Sequence, residues 1–139
     1  TALEETAKVH IGMFRRETNG SKGRRSDPLF SHARKHHLAS APTVEMGSRL
    51  QKAIGEQAIR NLIEQARAGA LANLRENALY LEQRTEGLQK PSEAISPTQA
   101  KNLLLFAIEA FDDVLVGFTN RSMELSRSTD ALFKKWRNA

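Results

Sequence analysis

The sequence lacks cysteine altogether, which excludes disulfide bonds, thiolate chemistry and zinc sites built on cysteine ligands. Aromatic residues make up only 6% of the 139 residues. The longest strongly apolar run, 103–107, is far shorter than the ~20 residues that a membrane-spanning helix requires. The first residues, 1–5, show no apolar stretch typical of a secretory signal. We therefore expect a protein without a membrane span, located in the cytoplasm or within an assembled particle.

The positive charge is concentrated in one short stretch. The net charge is +5, and the stretch from Arg15 to His37 holds seven basic residues against two acidic ones, so the rest of the chain is neutral. Arginine side chains match the geometry of phosphate groups, and the nearly absent aromatic residues argue against stacking on bases. We therefore expect this stretch to bind an acidic surface, first of all the phosphates of DNA or RNA, with strong salt dependence. The predicted binding residues are Arg15, Arg16, Lys22, Arg24, Arg25, Arg34, Lys35 and His36.

Other interpretations of the basic stretch stay open. An acidic protein or an anionic membrane surface presents the same kind of charge as a nucleic acid. A solvated loop that binds nothing also fits the composition.

The pattern of apolar residues divides a single all-α domain into three segments. Residues 1–18 predict an amphipathic helix, because apolar residues recur there at helical spacing. Residues 19–42 predict a basic irregular segment rich in turn signals, with room for a short helix from 28 to 38 that has Asp27 as its N-cap. Residues 43–139 predict a helical hairpin.

The predicted hairpin is long and antiparallel, and its two helices run over about 43–88 and 97–137. Thr43 is a good N-cap for the first helix, and Ser96 followed by a proline is a clear start for the second. Gly69 and two further glycines each weaken the first helix by ~1 kcal/mol relative to alanine. Because alanines flank Gly69, it also offers a place where another helix can approach closely. The expected fold is a helical bundle of coiled-coil type with an additional N-terminal helix.

The last predicted helix carries the most regular apolar pattern in the sequence. Its residues follow alternating steps of four and three, a seven-residue repeat with Ser122 and Thr129 as polar exceptions. The first half of this helix is apolar on nearly every side, which calls for cover beyond what a hairpin supplies. We predict a homo-oligomer, or a complex with another helical protein, and a bundle closed within one chain is the alternative. The predicted face consists of Leu104, Ile108, Phe111, Leu115, Phe118, Leu125, Leu132 and Trp136.

No recognised catalytic pattern is present. The phosphate-loop spacing, the nucleophile elbow and the His-Glu-x-x-His pattern are all absent from the sequence. His32 and His36 fall on one helix face, but no third ligand lies at a recognised spacing, so we interpret them as part of the basic surface. Glu109, Asp112 and Asp113 predict an exposed acidic face. We expect no enzymatic activity, no cofactor and no metal site.

The layout from Ala66 to Trp136 resembles that of phasins, helical proteins that coat polyester storage granules. Amphipathic helices rich in alanine and leucine flank a short proline-containing link at 88–94, and Gln99 and the later 123–125 occupy comparable places. The resemblance covers about half of the chain, and the basic N-terminal segment departs from the pattern. It implies an amphipathic coat on a hydrophobic granule surface.

Three functional hypotheses follow from these patterns. The leading one is a non-enzymatic helical assembly protein, such as a structural protein of a nucleoprotein, viral or phage particle. The second is the phasin-like coat, and the third is a small helical adaptor or chaperone.

Overall fold

The computed structural model describes residues 2–14, 30–40, 48–79, 82–84, 87–117 and 119–139. Nearly all the secondary structure of these residues is helical, which confirms the predicted all-α class. The exception is one two-stranded antiparallel β-ribbon with three residues in each strand. The ribbon pairs β1 (Glu82–Arg84) with β2 (Gly87–Gln89) and places Gln83 opposite Leu88. The helices are α1 (Ala2–Phe14), α2 (His32–Ala39), α3 (Ser48–Ile54), α4 (Glu56–Arg67), α5 (Ala70–Leu79), α6 (Pro91–Ala94), α7 (Pro97–Leu115) and α8 (Asn120–Arg137).

The predicted continuous helix over 43–88 was wrong, because two glycines break it into α3, α4 and α5. Gly55 has φ +82° and Gly69 has φ +75°. These positive values lie outside the right-handed helical region, and glycine adopts them at little steric cost. At Gly69 an added Cβ would lie 3.0 Å from the Cβ of Ala33 in α2, which confirms the close approach of another helix at this position. The helix α5 ends at Leu79, and Glu82 belongs to the β-ribbon. The predicted N-cap Thr43 lies outside the described residues.

The predicted helix over 97–137 begins as expected and is then interrupted. Ser96 caps α7 by accepting a hydrogen bond from the backbone N–H of Gln99 at 3.2 Å. The chain turns at Gly117 (φ +96°), and a capping box between Thr119 and Ser122 starts α8. The hydroxyl of Thr119 accepts from the Ser122 N–H at 3.0 Å, and the Ser122 hydroxyl accepts from the Thr119 N–H at 3.2 Å. Ser122 is therefore polar because it caps a helix.

The two halves of this predicted helix form an antiparallel pair with each other. Lys101 Nζ donates to the carbonyl of Arg137 at 3.1 Å, and Thr129 Oγ1 donates to Asp112 Oδ1 at 2.6 Å, so the start of α7 lies beside the end of α8. The observed hairpin is thus α7–α8, and the predicted pairing of 43–88 with 97–137 as two uninterrupted helices is not found.

The short helix predicted at 28–38 is present as α2, slightly later in the chain. Its N-cap is Ser31, whose hydroxyl accepts from the Arg34 N–H at 3.3 Å, whereas the predicted cap Asp27 lies outside the described residues. The predicted N-terminal helix is present as α1. Both helices contact each other and α7, so they cover one side of the bundle.

The hydrophobic core is centred on α7. Leu105, Phe106 and Ala110 of this helix are fully buried, and α7 contacts α1, α2, α3, α4 and α8. Full burial of a side chain such as Phe106 contributes about 1.5–3 kcal/mol, so this helix supplies a large share of the apolar stabilisation. Most sides of the strongly apolar α7 are therefore covered within one chain, as the alternative of an intramolecular bundle anticipated.

Candidate functional site

The basic residues predicted to bind an acidic partner do not all lie on the surface. Lys35 and His36 are 5% and 2% exposed, so they do not belong to the basic surface on which the sequence analysis placed them. Arg34, between Ala33 and Lys35 on α2, is exposed. The predicted residues Arg15, Arg16, Lys22, Arg24 and Arg25 lie outside the described residues.

Lys35 and His36 turn inward because α1 offers them a buried carboxylate. Glu4 Oε1 lies 2.9 Å from His32 Nδ1 and 3.2 Å from His36 Nε2, while Glu4 Oε2 lies 3.9 Å from Lys35 Nζ. Arg75 of α5 approaches the same carboxylate, with its Nε 3.6 Å from Oε1. These five side chains, the Glu4 cluster, connect three helices. His32 and His36 do share one face of α2, as their spacing predicted, and the face points toward α1.

Burial and charge act in opposite directions on the Glu4 cluster. Burial by itself raises the pKa of Glu4, but the neighbouring His32, together with the other positive groups around the carboxylate, outweighs it and lowers that pKa below its usual value. Burial lowers the pKa of His36, and Glu4 offsets only part of this effect. At neutral pH we therefore expect an ionised Glu4 and an uncharged His36.

The sequence contains a weak signal for the Glu4 cluster. Glu4 falls between Leu3 and Ala7 on the apolar face of α1, and Arg75 falls four residues after Leu71 on the apolar face of α5. A charged residue on an apolar face needs a partner, because an unpaired buried charge is costly. The identity of the partner is a long-range feature that the local pattern does not give.

Five of the eight residues of the predicted oligomer face border an open apolar groove of about 360 Å³ between α1, α7 and α8. We call it the α7 groove. Ile108 and Leu115 in it are buried and Leu104 and Phe111 are half-buried. Val9 of α1 and Leu132 of α8 also line it, and they are 48% and 40% exposed.

The remaining residues of the predicted face lie elsewhere or are not described. Trp136 is exposed and lines a different groove with Pro97 and Lys101. Leu125 is half-buried on α8, and Phe118 lies outside the described residues. The seven-residue repeat thus brings five of its members together, Leu104, Ile108, Phe111, Leu115 and Leu132.

A second groove of about 280 Å³, the Arg75 groove, lies between α1, α5 and α7. Arg75 and His36 line it together with apolar residues that include Leu74, Leu79 and Leu103. It borders the α7 groove, because both are lined by Ala2, Leu104 and Ala107.

The predicted exposed acidic face was wrong for Glu109 and Asp112. Glu109 is only 4% exposed, and both carboxylates accept hydrogen bonds from the guanidinium of Arg49 in α3. Arg49 also pairs with Asp130 of α8, and its guanidinium carbon lies 4.5 Å from the centroid of the Phe133 ring. This Arg49 network fastens α3 to the α7–α8 hairpin. Nothing in the local sequence singles out Arg49, since its three acidic partners are at least 60 residues away.

Asp113 is the exposed member of the predicted acidic face. Partial burial of its carboxyl and the charges of Glu109 and Asp112 outweigh the attraction of Arg49 and raise the pKa of Asp113 to about 6. The ionised form of Asp113 is therefore disfavoured beside two other carboxylates.

Neither a membrane-spanning helix nor a metal-ion cluster occurs among the described residues. No helix among them is long and apolar enough to cross a membrane. Within the same part of the chain, no group of three or more histidine, aspartate or glutamate side chains is arranged to hold a metal ion.

Comparison of the chain with protein-family models, with curated proteins and with solved structures gave no significant match. The resemblance to phasins stays a hypothesis based on composition and layout. The two grooves, the charge of the chain and the Glu4 cluster are therefore the features that bear on function.

Proposed function

We propose that the chain is a non-enzymatic helical assembly protein that self-associates through the α7 groove and binds an acidic surface, nucleic-acid phosphates, with its basic segment. The observation that carries the proposal is the open α7 groove itself. Apolar side chains on three helices converge there, and Val9 and Leu132 at its edges remain largely exposed. Apolar area that stays in contact with water costs about 25 cal/mol per Å² relative to burial, so covering this groove favours association.

A second copy of the chain is the occupant that the charge of the groove favours. The one charged residue among the described lining residues is Glu5, and Lys8 pairs with it at 2.6 Å. Two such nearly neutral surfaces meet without electrostatic repulsion. In the proposed two-fold dimer, the exposed Val9 and Leu132 of one copy pack into the groove of the other, and the same contact is made in reverse.

The second part of the proposal rests on the position of the charge in the sequence. All of the excess charge lies between residues 15 and 37. Because Lys35 and His36 are buried, we assign the phosphate contacts to the other basic residues of the segment. These are Arg15, Arg16, Lys22, Arg24, Arg25 and Arg34. Contacts of this kind bind phosphates with little preference for base sequence.

The self-association test compares three proteins by light-scattering mass at low and high concentration. Wild type should be a dimer or larger oligomer. Leu132→Asp replaces an apolar contact at the groove edge with a charge that the interface would have to bury without a partner, so it should shift the equilibrium to monomer by at least tenfold. Met123→Asp is the matched control, because Met123 is 52% exposed on the same helix and does not line the α7 groove. A monomeric wild type, or equal masses for wild type and Leu132→Asp, would overturn the proposal.

The nucleic-acid test uses fluorescence anisotropy with mixed-sequence DNA and RNA at several salt concentrations. Replacing Arg24, Arg25 and Arg34 with glutamine should weaken binding and reduce the salt slope by about one for each lost phosphate contact. The control carries the same number of replacements on other helices, at Lys52, Arg121 and Arg127, which are exposed on α3 and α8. Equal affinity of the two triple variants would rule out a specific role for the basic segment.

A further inference from the structure

Helix α1 is attached to the bundle by few apolar contacts. Among its residues 2–12, only Leu3 and Ala7 are buried apolar side chains, and the other two buried residues are Glu4 and Thr6. Helix α7, by contrast, is surrounded by the rest of the bundle and buries six apolar side chains. The contacts of Glu4 are therefore a large part of what fixes α1 in place.

His36 is the buried member of the Glu4 cluster whose residue type changes charge near neutral pH. It is 2% exposed, and its Nε2 lies 3.2 Å from Glu4 Oε1 on the neighbouring helix. The side chain of the other histidine, His32, is 46% exposed, so that ring remains in contact with water. The side chain of Arg75 is 26% exposed at the edge of the cluster.

The buried ring of His36 has no good place for a second proton. When the neutral ring carries its proton on Nε2, toward Glu4, the other nitrogen is an acceptor. That nitrogen, Nδ1, is buried and has no hydrogen-bond partner among the described residues. Charging the ring places an N–H donor there with neither water nor an acceptor to receive it, which is costly. Burial therefore lowers the pKa of His36 from its ordinary value of 6.5, and the attraction of Glu4 offsets only part of this effect.

The other elements around His36 do not offset the cost of a second positive charge. From α1 and α5 it faces Glu4 and Arg75, and on its own helix it neighbours His32 and Lys35. Helix α4 also packs against α2, and its buried residues are all apolar. Helix α7 lines the adjoining Arg75 groove with apolar residues only. The cluster thus has one carboxylate, which Lys35 and Arg75 already share.

We propose that the Glu4 cluster is a pH-sensitive latch for α1: when His36 takes up a proton, α1 separates from the bundle while α7 and α8 stay folded. In the open form the ring of His36 reaches water and regains the ordinary pKa of 6.5, whereas the closed form resists the proton. Opening is thus coupled to the uptake of one proton, and its equilibrium constant rises by up to about tenfold for each pH unit below 6.5. The lowered pKa of Glu4 adds to this effect only below pH 4.5.

Release of α1 changes the apolar surface of α7. Ala2 of α1 lines both the Arg75 groove and the α7 groove, and Leu104 and Ala107 of α7 are common to the two. Without α1 the two grooves merge into one apolar surface along α7. The weakly acidic form should therefore bind an apolar fluorescent dye more strongly than the neutral form does.

Hydrogen–deuterium exchange at pH 7, 6 and 5, corrected for the intrinsic exchange rate at each pH, tests the latch. The opening constant of the α1 amides should rise by up to about 20-fold between pH 7 and pH 5, and that of the α7 and α8 amides should stay constant. His36→Gln keeps a polar side chain that does not take a charge, so it should remove the rise. His37→Gln is the matched control, because His37 is the next residue on α2 and is exposed, and it should keep the rise.

A second measurement, on wild type, covers the case that His36→Gln does not fold. The ring protons of His36 in nuclear magnetic resonance spectra should report protonation over the same pH range in which α1 loses protection. The latch is refuted if α1 stays protected while His36 protonates, if α1 and α8 lose protection together, or if His36→Gln behaves as wild type. Leu132→Asp should show the same exchange of α1, so the latch and the proposed self-association can fail separately.

Discussion

The Arg49 network offers the sharpest test of how the bundle is held together. Arg49 is the shared partner of Glu109, Asp112 and Asp130, and it lies over the ring of Phe133. Arg49→Met keeps much of the apolar length of the side chain but leaves Glu109, which is 4% exposed, as a buried charge without its cation. Breaking a buried ion pair in this way costs about 3–5 kcal/mol, and loss of the contact with the aromatic ring adds about 0.5–1 kcal/mol.

Because Arg49 and Asp130 are partly exposed to solvent, the expected loss of unfolding free energy is smaller than this sum. The side chain of Arg49 is 33% exposed and that of Asp130 is 63% exposed, so the Asp130 pair contributes at most about 1 kcal/mol and solvent screens part of the rest. We expect Arg49→Met to lower the free energy of unfolding by about 3 kcal/mol. For a domain whose total stability is about 5–15 kcal/mol, this is a large fraction.

Urea unfolding followed by circular dichroism at 222 nm measures the effect, with Arg121→Met as the matched control. Arg121 pairs with Glu124, but both side chains are well exposed, so its replacement should cost less than about 1 kcal/mol. Adding Glu109→Gln to Arg49→Met should restore part of the loss, because it removes the unpaired charge. If Arg49→Met and Arg121→Met are equally stable, the buried network is not a stabilising feature and the placement of α3 against α7 is wrong.

Three further predictions test the helix breaks and the two clusters of charge. In a continuous helix, replacing Gly55 or Gly69 with alanine would stabilise the protein by ~1 kcal/mol. The positive φ angles predict instead that each replacement destabilises the protein by about 1–3 kcal/mol, as measured by thermal unfolding. The larger loss is expected at Gly69, where the added Cβ would meet Ala33. Because the pKa of Asp113 is raised to about 6, its ionisation opposes folding as pH rises through 6, so Asp113→Asn should stabilise the protein by up to about 1 kcal/mol at pH 7.5 and have little effect at pH 4. The pKa of Glu4 is lowered, so the stability that its charge contributes is complete above pH 4.5 and is lost as pH falls through the folded-state pKa. Glu4→Gln should therefore weaken the dependence of the unfolding free energy on pH in this range. The same pH dependence in wild type and Glu4→Gln would contradict a lowered pKa of Glu4.

The sequence predicts those elements of the fold whose signals are local. The apolar spacing of α1 and the pair Ser96-Pro97 at the start of α7 are complete within a few residues, and both predictions were confirmed. The breaks at Gly55 and Gly69 were not predictable in the same way. A glycine inside a helix costs only ~1 kcal/mol, so tertiary contacts decide whether the helix continues through it.

The inward orientation of Lys35 and His36 shows the same limit for the candidate site. A run of basic residues is usually solvated, and only the position of Glu4 on another helix reverses that expectation here. The two halves of the cluster are separated by about thirty residues, and no local pattern connects them.

The turn at Gly117 changes what the seven-residue repeat means for association. On one straight helix, Leu104 through Trp136 would form a continuous ridge suited to a coiled coil. Because α8 folds back along α7, Leu132 lies beside Leu104 and Ile108, and the ridge becomes a groove with α1 as its second wall. Val9 and Leu132 are exposed at the edges of this groove. In the dimer that we propose, these edges of each copy insert into the groove of the other, so the pairing depends on the α7–α8 turn that places Leu132 at the edge.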